Sequence, residues 1–401
     1  MTTGSKKIIV HDYAGHAFPI ELSRELANRG HQVWHLYAGD LVTPRGDLRK
    51  KESDPDHLEF ICIPIGEKYR DVKYSYFSRW SLERSYGKSV CKQISRLRPE
   101  VVLSGNTPSG PQWDITKECS AMGIRMVSWV QDFYSLAVDR ILRKKLPLLG
   151  QLIGNYYKNL DRRVFSASDA IISITPDFEP IIESFAGAKS KVTTIPNWAP
   201  IEKFPPGEKN NSWSRSMGVN QTFNIIYSGT LALKHNPELL IRLAVHLEEM
   251  PDTNIIVISE GPGIEYLREQ SKIHKLSNLI LLPFQAFEDF PKILASSDIL
   301  LGILEKDAGV FSVPSKILSY LCAGRPLVAA MPKDNLASKL VADNQAGAVV
   351  ESDDETGFIS AVDELLGDAE LRDRYGTSGR RYAEAHFQIS HICDQFERAL
   401  F

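Results

Sequence analysis

Short β-rich runs alternate with amphipathic helical patterns along almost the whole of this 401-residue chain. Near the start, residues 6–11 have the composition of a buried strand. Residues 16–30 have the apolar spacing of a helix that ends at Gly30, and residues 31–38 form the next strand pattern. Two strands joined through a helix form a βαβ unit, which is right-handed by default. The repeated alternation predicts α/β domains with mainly parallel sheets, and the lack of a fixed repeat period excludes a solenoid.

One stretch interrupts the alternation. Residues 199–221 are rich in Pro, Asn, Ser and Gly and have no apolar period, which is typical of a connection between domains. We therefore predict two doubly wound Rossmann-like domains that face each other across a cleft. The predicted segments are a first domain at 1–198, a linker at 199–221, a second domain at 222–385, and a C-terminal helix at 386–401 that packs back on the first domain.

Composition excludes several classes of protein. Hydrophobic residues make up 43% and charged residues 24% of the chain, which is ordinary for a globular protein. No apolar run reaches the roughly 18 residues of a membrane-spanning helix. The five cysteines have no C-x-x-C spacing, which argues against a disulfide framework and a structural zinc site. We expect a cytoplasmic protein with reduced cysteines and no metal cofactor.

The charge is unevenly distributed. Residues 1–200 hold 28 basic and 22 acidic residues, a net charge of +6, whereas residues 201–401 hold 19 and 28, a net charge of −9. Such a split is typical of a basic module that meets phosphate, nucleic acid or anionic lipid, although a solvated surface produces it too. Because no nucleic-acid motif accompanies the charge, we expect no nucleic-acid partner.

Two loops of the second half have phosphate-binding chemistry. The first predicted strand there ends in Ser228, Gly229 and Thr230, and Lys234 lies just ahead of the next helix. Further on, Ser315 and Lys316 stand at a helix start, where the helix dipole and the ammonium both favour an anion. Backbone N–H groups, hydroxyls and ammonium groups at the carboxyl edge of a parallel sheet suit a diphosphate.

Other loops of the second half could contact the rest of a nucleotide. Glu260, Gly261 and Gly263 bend the chain after the second strand, and Glu260 could accept hydrogen bonds from a ribose or cap the next helix. Phe284 and Gln285 follow the third strand and could offer backbone edges to a base.

In the first half, Gly15 and His16 form the first strand-to-helix turn, where an anion can approach the backbone. The single glycine disfavours a dinucleotide site, and a turn without ligand is the alternative. Asp132, after a predicted strand, could face an acceptor or cap a helix. The only D-x-D, Asp54 and Asp56, precedes a strand rather than following one, so we expect no metal there.

A long helical pattern from residue 139 to 163 holds seven basic residues against Asp139 and Asp161, interleaved with Leu, Ile and Tyr. Such a helix can lie on an anionic membrane surface, and a solvated helix face is the equally open alternative. The residues predicted to contact lipid are Arg140, Arg143, Lys144 and Lys145.

Together these motifs carry a family resemblance. The order SGT, EGPG, PFQ, SSDILLGIL, PSKILSYLCAGRPLVA and AGAVV resembles the donor-binding domain of the retaining, nucleotide-sugar-dependent glycosyltransferase family 4. The segments LSRELANRGHQV, WVQDFYSL and TTIPNWAP are similar to those of bacterial colanic-acid and exopolysaccharide glycosyltransferases. The resemblance covers essentially the whole chain and implies the GT-B fold.

The chain departs from the family pattern at three places. Phe311 and Ser319 stand where the family often has a Glu-x7-Glu pair, so Ser319 and Asp307 become the candidates for the donor sugar hydroxyls. Thr230 replaces a frequent Arg, which leaves Lys234 as the clearer phosphate ligand. Asn106 occupies the position of a catalytic-site His in many relatives.

The resemblance therefore implies a retaining transferase that moves a sugar from a UDP- or GDP-sugar to a glycan or lipid-linked acceptor in cell-surface polysaccharide biosynthesis. Lys234, Asn106 and Asp132 are its catalytic candidates, without a metal or other cofactor. Peripheral attachment to the inner face of the plasma membrane is an open alternative to a purely cytoplasmic location. A nucleotide-sugar epimerase or hydrolase of the same fold, and a catalytically silent nucleotide-sugar-binding partner protein, are the alternative functions.

Overall fold

The computed structural model describes residues 4–41, 45–66, 76–145, 147–186, 191–231, 235–250, 252–306 and 313–401. These residues form two units. The first unit consists of Met1–Asn197 together with Ile389–Phe401, and the second is Trp198–Gln388. Each unit is built on its own parallel sheet, so each is described by itself.

The first unit has a seven-stranded parallel sheet in the order β3-β2-β1-β4-β5-β6-β7. Its central strands are buried on both faces, as is usual for a parallel sheet covered by helices. The strands are β1 (Lys7–Asp12), β2 (Gln32–Ala38), β3 (Leu58–Ile63), β4 (Val101–Gly105), β5 (Arg125–Val130), β6 (Ala170–Ser173) and β7 (Val192–Thr194).

Seven helices accompany this sheet within the described residues. Helix α3 ends at Gly123, whose left-handed conformation closes its last turn. The helices are α1 (Ala17–Asn28), α2 (Tyr76–Leu97), α3 (Ser109–Met122), α4 (Tyr134–Lys145), α5 (Pro147–Ala167), α6 (Glu179–Ala186) and, at the end of the chain, Ile389–Leu400.

The second unit repeats the plan with six parallel strands in the order β10-β9-β8-β11-β12-β13. Its core is a continuous cluster of aliphatic side chains from the strands and from the helices that cover them. The strands are β8 (Phe223–Ser228), β9 (Thr253–Ile258), β10 (Leu279–Leu282), β11 (Ile299–Ile303), β12 (Leu327–Ala330) and β13 (Gly347–Val350). The helices are α7 (Ser212–Ser216), α8 (Glu238–His246), α9 (Pro262–His274), α10 (Phe290–Ala295), α11 (Lys316–Ala323), α12 (Leu336–Asp343), α13 (Glu355–Gly367) and α14 (Ala369–His386).

The predicted linker has more structure than a bare connection. Residues 199–221 lie within the second unit and include helix α7, whose start is closed by a reciprocal capping box between Asn211 and Ser214. Trp213 and Phe204 of this segment are buried. Because isolated aromatic residues among polar ones give no periodic pattern, the sequence did not indicate this packing.

The long basic stretch differs from the expectation as well. It forms two helices, α4 and α5, rather than one. Pro147 is the first residue of α5, a position that proline favours because it has no N–H to donate and a fixed φ. The two helices pack against each other as a hairpin, with the Asp139 carboxylate accepting hydrogen bonds from Arg143 (2.8 Å) and Lys158 (2.6 Å).

The C-terminal helix α15 (Ile389–Leu400) packs on α1 of the first unit. Arg29, just after α1, donates hydrogen bonds of 2.6 Å to both Asp394 and Glu397. Next to this ion pair, the ring of Phe396 lies 4.8 Å from the ring of Trp129 on β5. Charged and aromatic contacts thus hold the end of the chain on the unit that contains its beginning.

Candidate functional site

In the second sheet, the strand order reverses between β8 and β11. Ligands of open α/β sheets bind at the carboxyl ends of the strands next to such a reversal. Gly229 follows β8 at this place, donates its N–H to the carbonyl of Ile258 at 3.0 Å and has a φ of +132°, which favours glycine. The predicted Ser228-Gly229-Thr230 turn therefore lies where a ligand is expected.

Lys316, the first residue of α11, reaches this turn. Its ammonium lies 3.5 Å from the centre of the Tyr227 ring, close enough for a cation–π contact. A Cβ atom added to Gly229 would lie 3.0 Å from Lys316 Cε and 3.2 Å from its Nζ. The absence of a side chain at Gly229 thus makes room for the lysine, which brings a positive charge to the carboxyl edge of the sheet.

Two tyrosines that the sequence analysis did not select support the same turn. The Tyr320 hydroxyl accepts a hydrogen bond from the Ser228 N–H (2.9 Å) and donates one to the Ser228 carbonyl (3.0 Å). The Tyr227 hydroxyl donates to the carbonyl of Thr230 at 2.8 Å. Burial raises the pKa of both phenols, so they stay neutral donors. The available signal was spacing, because Tyr320 lies one helical turn after Lys316.

The hydroxyls predicted around Lys316 are accessible. Ser315, just before α11, is exposed and makes no side-chain capping bond to the helix, and Ser319 is half-buried one turn later. Both can donate to an anion at the start of α11. Two other predicted ligands, Lys234 and Asp307, lie outside the described residues.

The remaining predicted nucleotide contacts differ in their surroundings. Glu260 is exposed, and Gly261, not Glu260, occupies the cap position of α9. Gly263 packs on Leu231, since an added Cβ would lie 2.1 Å from the Leu231 carbonyl oxygen. That contact gives Gly263 a packing role. Phe284 and Gln285 follow the edge strand β10, where the Gln285 amide donates to the carbonyl of Pro283 at 2.9 Å.

In the first sheet, the strand order reverses between β1 and β4, and three polar side chains meet there. The Asn106 amide donates 2.7 Å to the carboxylate of Asp12, and the His16 ring nitrogen lies 3.3 Å from the same amide. The His16 backbone N–H also donates to Asp12. Asn106 has a φ of +55°, so the chain turns sharply after β4 to bring its side chain back.

Asp12, which the sequence analysis did not select, is the centre of this cluster and is buried. Burial by itself would raise the pKa of its carboxyl, but the hydrogen bonds and charge of His16 and the amide of Asn106 outweigh burial and lower the pKa to about 2. The carboxylate is therefore charged at neutral pH and fixes the positions of His16 and Asn106. Its position as the last residue of β1 was the signal in the sequence.

Asn106 and Asp132 line one pocket of the first unit, together with residues of α3, α4 and α5. Two buried donors of this pocket, the amide nitrogens of Gln112 and Gln131, have no hydrogen-bond partner among the described residues. A buried donor without a partner costs roughly 1 to 3 kcal/mol, so such groups usually meet water or a ligand. The pocket can therefore accept a hydroxylated molecule beside Asp132.

Asp161 of α5 also lines this pocket and is buried. Burial raises the pKa of its carboxyl to about 6; the hydroxyls of Ser109 and Ser135 oppose the rise and the charge of Asp132 adds to it. Nothing in the sequence distinguished Asp161 from the surrounding charged residues of its helix. Asp161 lines the pocket because its face of α5 is buried, and the sequence of the helix alone does not show which face that is.

Gly15 and the D-x-D pair make contacts within the protein. Gly15 has a φ of +76° and lies under Leu48, whose Cδ1 would be 3.1 Å from an added Cβ. Asp54 accepts hydrogen bonds from Arg24 Nε (2.9 Å) and the Lys51 N–H (2.9 Å). Within the described ranges, no group of three His, Cys, Asp or Glu side chains could hold a metal ion.

Among the residues predicted to contact lipid, Arg140 is half-buried on α4 and Arg143 is exposed next to its ion pair with Asp139. Lys144 and Lys145 belong to α4, but their side chains lie outside the described part of the structure. In the described parts of the chain, we find no helix with the length and apolar character needed to span a bilayer.

Comparisons with known proteins agree with this geometry. Residues 18–203 match the family model Glycosyltransferase Family 4, and residues 211–382 match the model Glycosyl transferases group 1. The chain belongs to glycosyltransferase family 4 and has the GT-B fold. The family resemblance and the fold predicted from the sequence are thereby confirmed.

Individual relatives are distant. The chain is 23% identical over 248 residues to D-inositol 3-phosphate glycosyltransferase of Stackebrandtia nassauensis and 21% identical over 253 residues to O-antigen chain mannosyltransferase C of Escherichia coli. These alignments cover 58% and 60% of this chain, but only 54% and 62% of the relatives' own length. The Anabaena protein HepE, crystallised with UDP-glucose, has a TM-score of 0.71 at 14% identity, with 98% of this chain and 99% of HepE covered.

Proposed function

We propose that this glycosyltransferase moves a sugar from a nucleotide diphosphate sugar, with UDP or GDP as the nucleotide, to a glycan or lipid-linked acceptor in cell-surface polysaccharide biosynthesis, with retention of the anomeric configuration. The observation that carries the proposal is the position of Lys316, whose ammonium lies beside Gly229 at the reversal of the second sheet. A cation, a backbone turn and a helix start in one place suit a diphosphate.

The residues of the second unit would stabilise the departing diphosphate. As the bond from the anomeric carbon to the phosphate oxygen breaks, negative charge develops on that oxygen, and Lys316, the Ser315 hydroxyl and the start of α11 can bind it. In the first unit, the pocket of Asn106 and Asp132 would bind the acceptor. The acceptor hydroxyl forms the new bond to the anomeric carbon, and its proton passes to the departing phosphate.

Thermal unfolding with a panel of UDP- and GDP-sugars tests donor binding, because a ligand at 100 times its dissociation constant adds about 2.7 kcal/mol of stability. With the stabilising donor, Lys316→Ala should weaken binding roughly tenfold to a hundredfold, since a charge-assisted hydrogen bond contributes about 1.5 to 3 kcal/mol. Lys272→Ala removes an exposed lysine of α9 and is the matched control. Unchanged donor affinity in Lys316→Ala would reject this diphosphate site.

Product analysis distinguishes the alternative functions. A transferase releases the nucleoside diphosphate and joins the sugar to the acceptor, and NMR of the new linkage shows whether the configuration is retained. An epimerase or hydrolase consumes the donor without an acceptor. A silent binding partner, which the missing Glu-x7-Glu pair keeps open, binds the donor and leaves it intact.

A further inference from the structure

The helical hairpin formed by α4 and α5 concentrates the exposed apolar surface of the protein. Ten large hydrophobic side chains are exposed among the described residues, and five of them belong to this hairpin. Leu148 is 83% exposed and Leu152 is 68% exposed, values far from those of a core residue. The five residues are Ile141 on α4 and Leu148, Leu149, Leu152 and Tyr156 on α5. Exposed apolar residues scattered singly need no explanation, but a cluster of this kind marks an interaction site.

The cluster on α5 forms a stripe that points away from the protein. At 3.6 residues per turn, Leu148, Leu149, Leu152 and Tyr156 fall within an arc of about 100°. Asp161 and Phe165, which are buried, lie on the opposite side of the same helix. An amphipathic helix normally turns its apolar stripe toward the core. The first half of α5 instead presents a second apolar stripe to its surroundings.

The segment that contains the stripe is rich in positive charge. Residues 139–163 contain seven basic residues and two acidic ones, Asp139 and Asp161. Both carboxylates are buried, so the exposed charge of the hairpin is basic. A second copy of the hairpin would bring like charges together, and a soluble protein partner would need an acidic surface around an apolar groove. An anionic bilayer supplies both anionic head groups and an apolar interior.

We propose that this hairpin is a membrane-docking surface that inserts Leu148, Leu149 and Leu152 among the acyl chains of an anionic bilayer. The basic side chains of α4 and α5 then contact the head groups, where each one raises affinity about fivefold. Side chains of an interfacial helix reach roughly 5 to 10 Å into the bilayer. The surface does not depend on which sugar is transferred, so its test is separate from that of the proposed function.

Cosedimentation with phosphatidylcholine vesicles containing one third phosphatidylglycerol tests the proposal. The wild-type protein should bind these vesicles, and the double variant Leu148→Ser, Leu152→Ser should lose at least tenfold in affinity. Val245→Ser, Ile273→Ser is the matched control, because it removes two exposed aliphatic residues of the second unit. The proposal is overturned if the wild-type protein stays in the supernatant at low salt, or if the α5 and control variants bind alike.

A second measurement reports insertion directly. In Leu152→Trp, vesicles of brominated phosphatidylcholine and phosphatidylglycerol should quench the fluorescence of the introduced tryptophan. In Ile273→Trp, the same vesicles should leave the fluorescence of the introduced tryptophan unchanged. Equal quenching at the two positions overturns the proposal. Light scattering of the free protein tests whether a second copy of the chain covers the stripe instead. If the wild-type protein is a dimer and the variant Leu148→Ser, Leu152→Ser is a monomer, a second copy covers the stripe and the proposal fails.

Discussion

The amide of Asn106 donates a 2.7 Å hydrogen bond to the carboxylate of Asp12, across the pair of strands where the order of the first sheet reverses. The two residues are 94 positions apart in the chain: Asp12 is the last residue of β1, and Asn106 directly follows β4. Because the carboxylate is buried and charged, its donors are indispensable for that charge to remain in the protein. The pair therefore links the stability of the first unit to the position of a predicted catalytic residue.

Replacing Asn106 should show two separate contributions to stability, one from its hydrogen bond to Asp12 and one from its backbone conformation. Asn106→Gly removes the amide donor and keeps a residue suited to a φ of +55°, so it should cost about 1.5 to 3 kcal/mol. Asn106→Ala should cost roughly 1 kcal/mol more, because alanine is strained in that conformation. Urea unfolding of the two variants measures both terms. Equal stability of Asn106→Ala and the wild-type protein would show that the Asp12 bond contributes nothing.

Asp12 should make stability depend on acid pH. Its pKa in the folded protein is about 2, against 3.8 for an ordinary aspartate, so its charge stabilises the fold above pH 4. That contribution is lost as the pH falls through about 2. The difference in unfolding free energy between the wild-type protein and Asp12→Asn should shrink over this window. Asp56→Asn, at a fully exposed side chain, is the matched control variant.

Asp161 should act in the opposite direction. Its folded-state pKa of about 6 lies above the ordinary 3.8, so the native state holds the proton more tightly than the unfolded chain. The carboxyl then lowers stability as the pH rises from about 4 to 6, by up to roughly 3 kcal/mol for a shift of two pKa units. We expect Asp161→Asn to unfold at a higher temperature than the wild type at pH 7, with the gain disappearing near pH 4.

Asp139 on α4, the other helix of the hairpin, offers a contrast to Asp161. Burial would raise the pKa of Asp139, but the ion pairs with Lys158 and Arg143 outweigh it and hold the pKa below its usual value. Asp139→Asn should therefore destabilise the protein at pH 7, where Asp161→Asn stabilises it. A loss of stability in both variants would contradict the raised pKa of Asp161.

Gly229→Ala should affect the donor site beyond its backbone strain. The new Cβ would crowd Lys316 at 3.0 to 3.2 Å, so the lysine has to move away from the turn. Gly30→Ala is the control, because Gly30 also has a positive φ of +93° and its added Cβ meets nothing within 4 Å. Both variants should lose stability of about 1 kcal/mol or more. Only Gly229→Ala should also lose affinity for the nucleoside diphosphate, as measured by calorimetry.

Transfer should continue in EDTA. Lys316 and the start of α11 at the second sheet can bind the departing diphosphate without a divalent ion. The rate before and after chelation, measured with the donor identified in the thermal panel, tests this expectation. If activity falls to zero in EDTA and returns with Mg²⁺ or Mn²⁺, the ligands of that ion become the next question.

The alternation of strands and helices was visible in the sequence because periodicity is local, and it led to the prediction of two parallel-sheet domains. The GT-B fold followed from the family resemblance of the motifs. Contacts between distant residues were not visible. The Lys316 ammonium lies over a tyrosine 89 positions earlier, because β8 and β11 are neighbours only in the folded sheet. The same limit applied to Asp12, whose importance depends on β1 lying next to β4.

The hairpin illustrates a second limit. Its basic residues were evident from counting, but Leu148 and Leu152 looked like ordinary residues of a buried helix face. Which of two apolar stripes is covered depends on the neighbouring elements, and that information is not in the helix itself. Pro147 was the one local sign that the basic stretch contains a break.

The anchoring of α15 on α1 has a consequence for synthesis of the chain. The second unit is one continuous segment, Trp198–Gln388, so it can fold once that segment has left the ribosome. The first unit also needs Ile389–Phe401, a segment that is synthesised only after the whole of the second unit. Until that segment has been made, the aromatic contact of Trp129 with Phe396 cannot form. A nascent chain stalled or truncated before residue 389 should therefore expose this face of the first unit to chaperones while its second unit is already native.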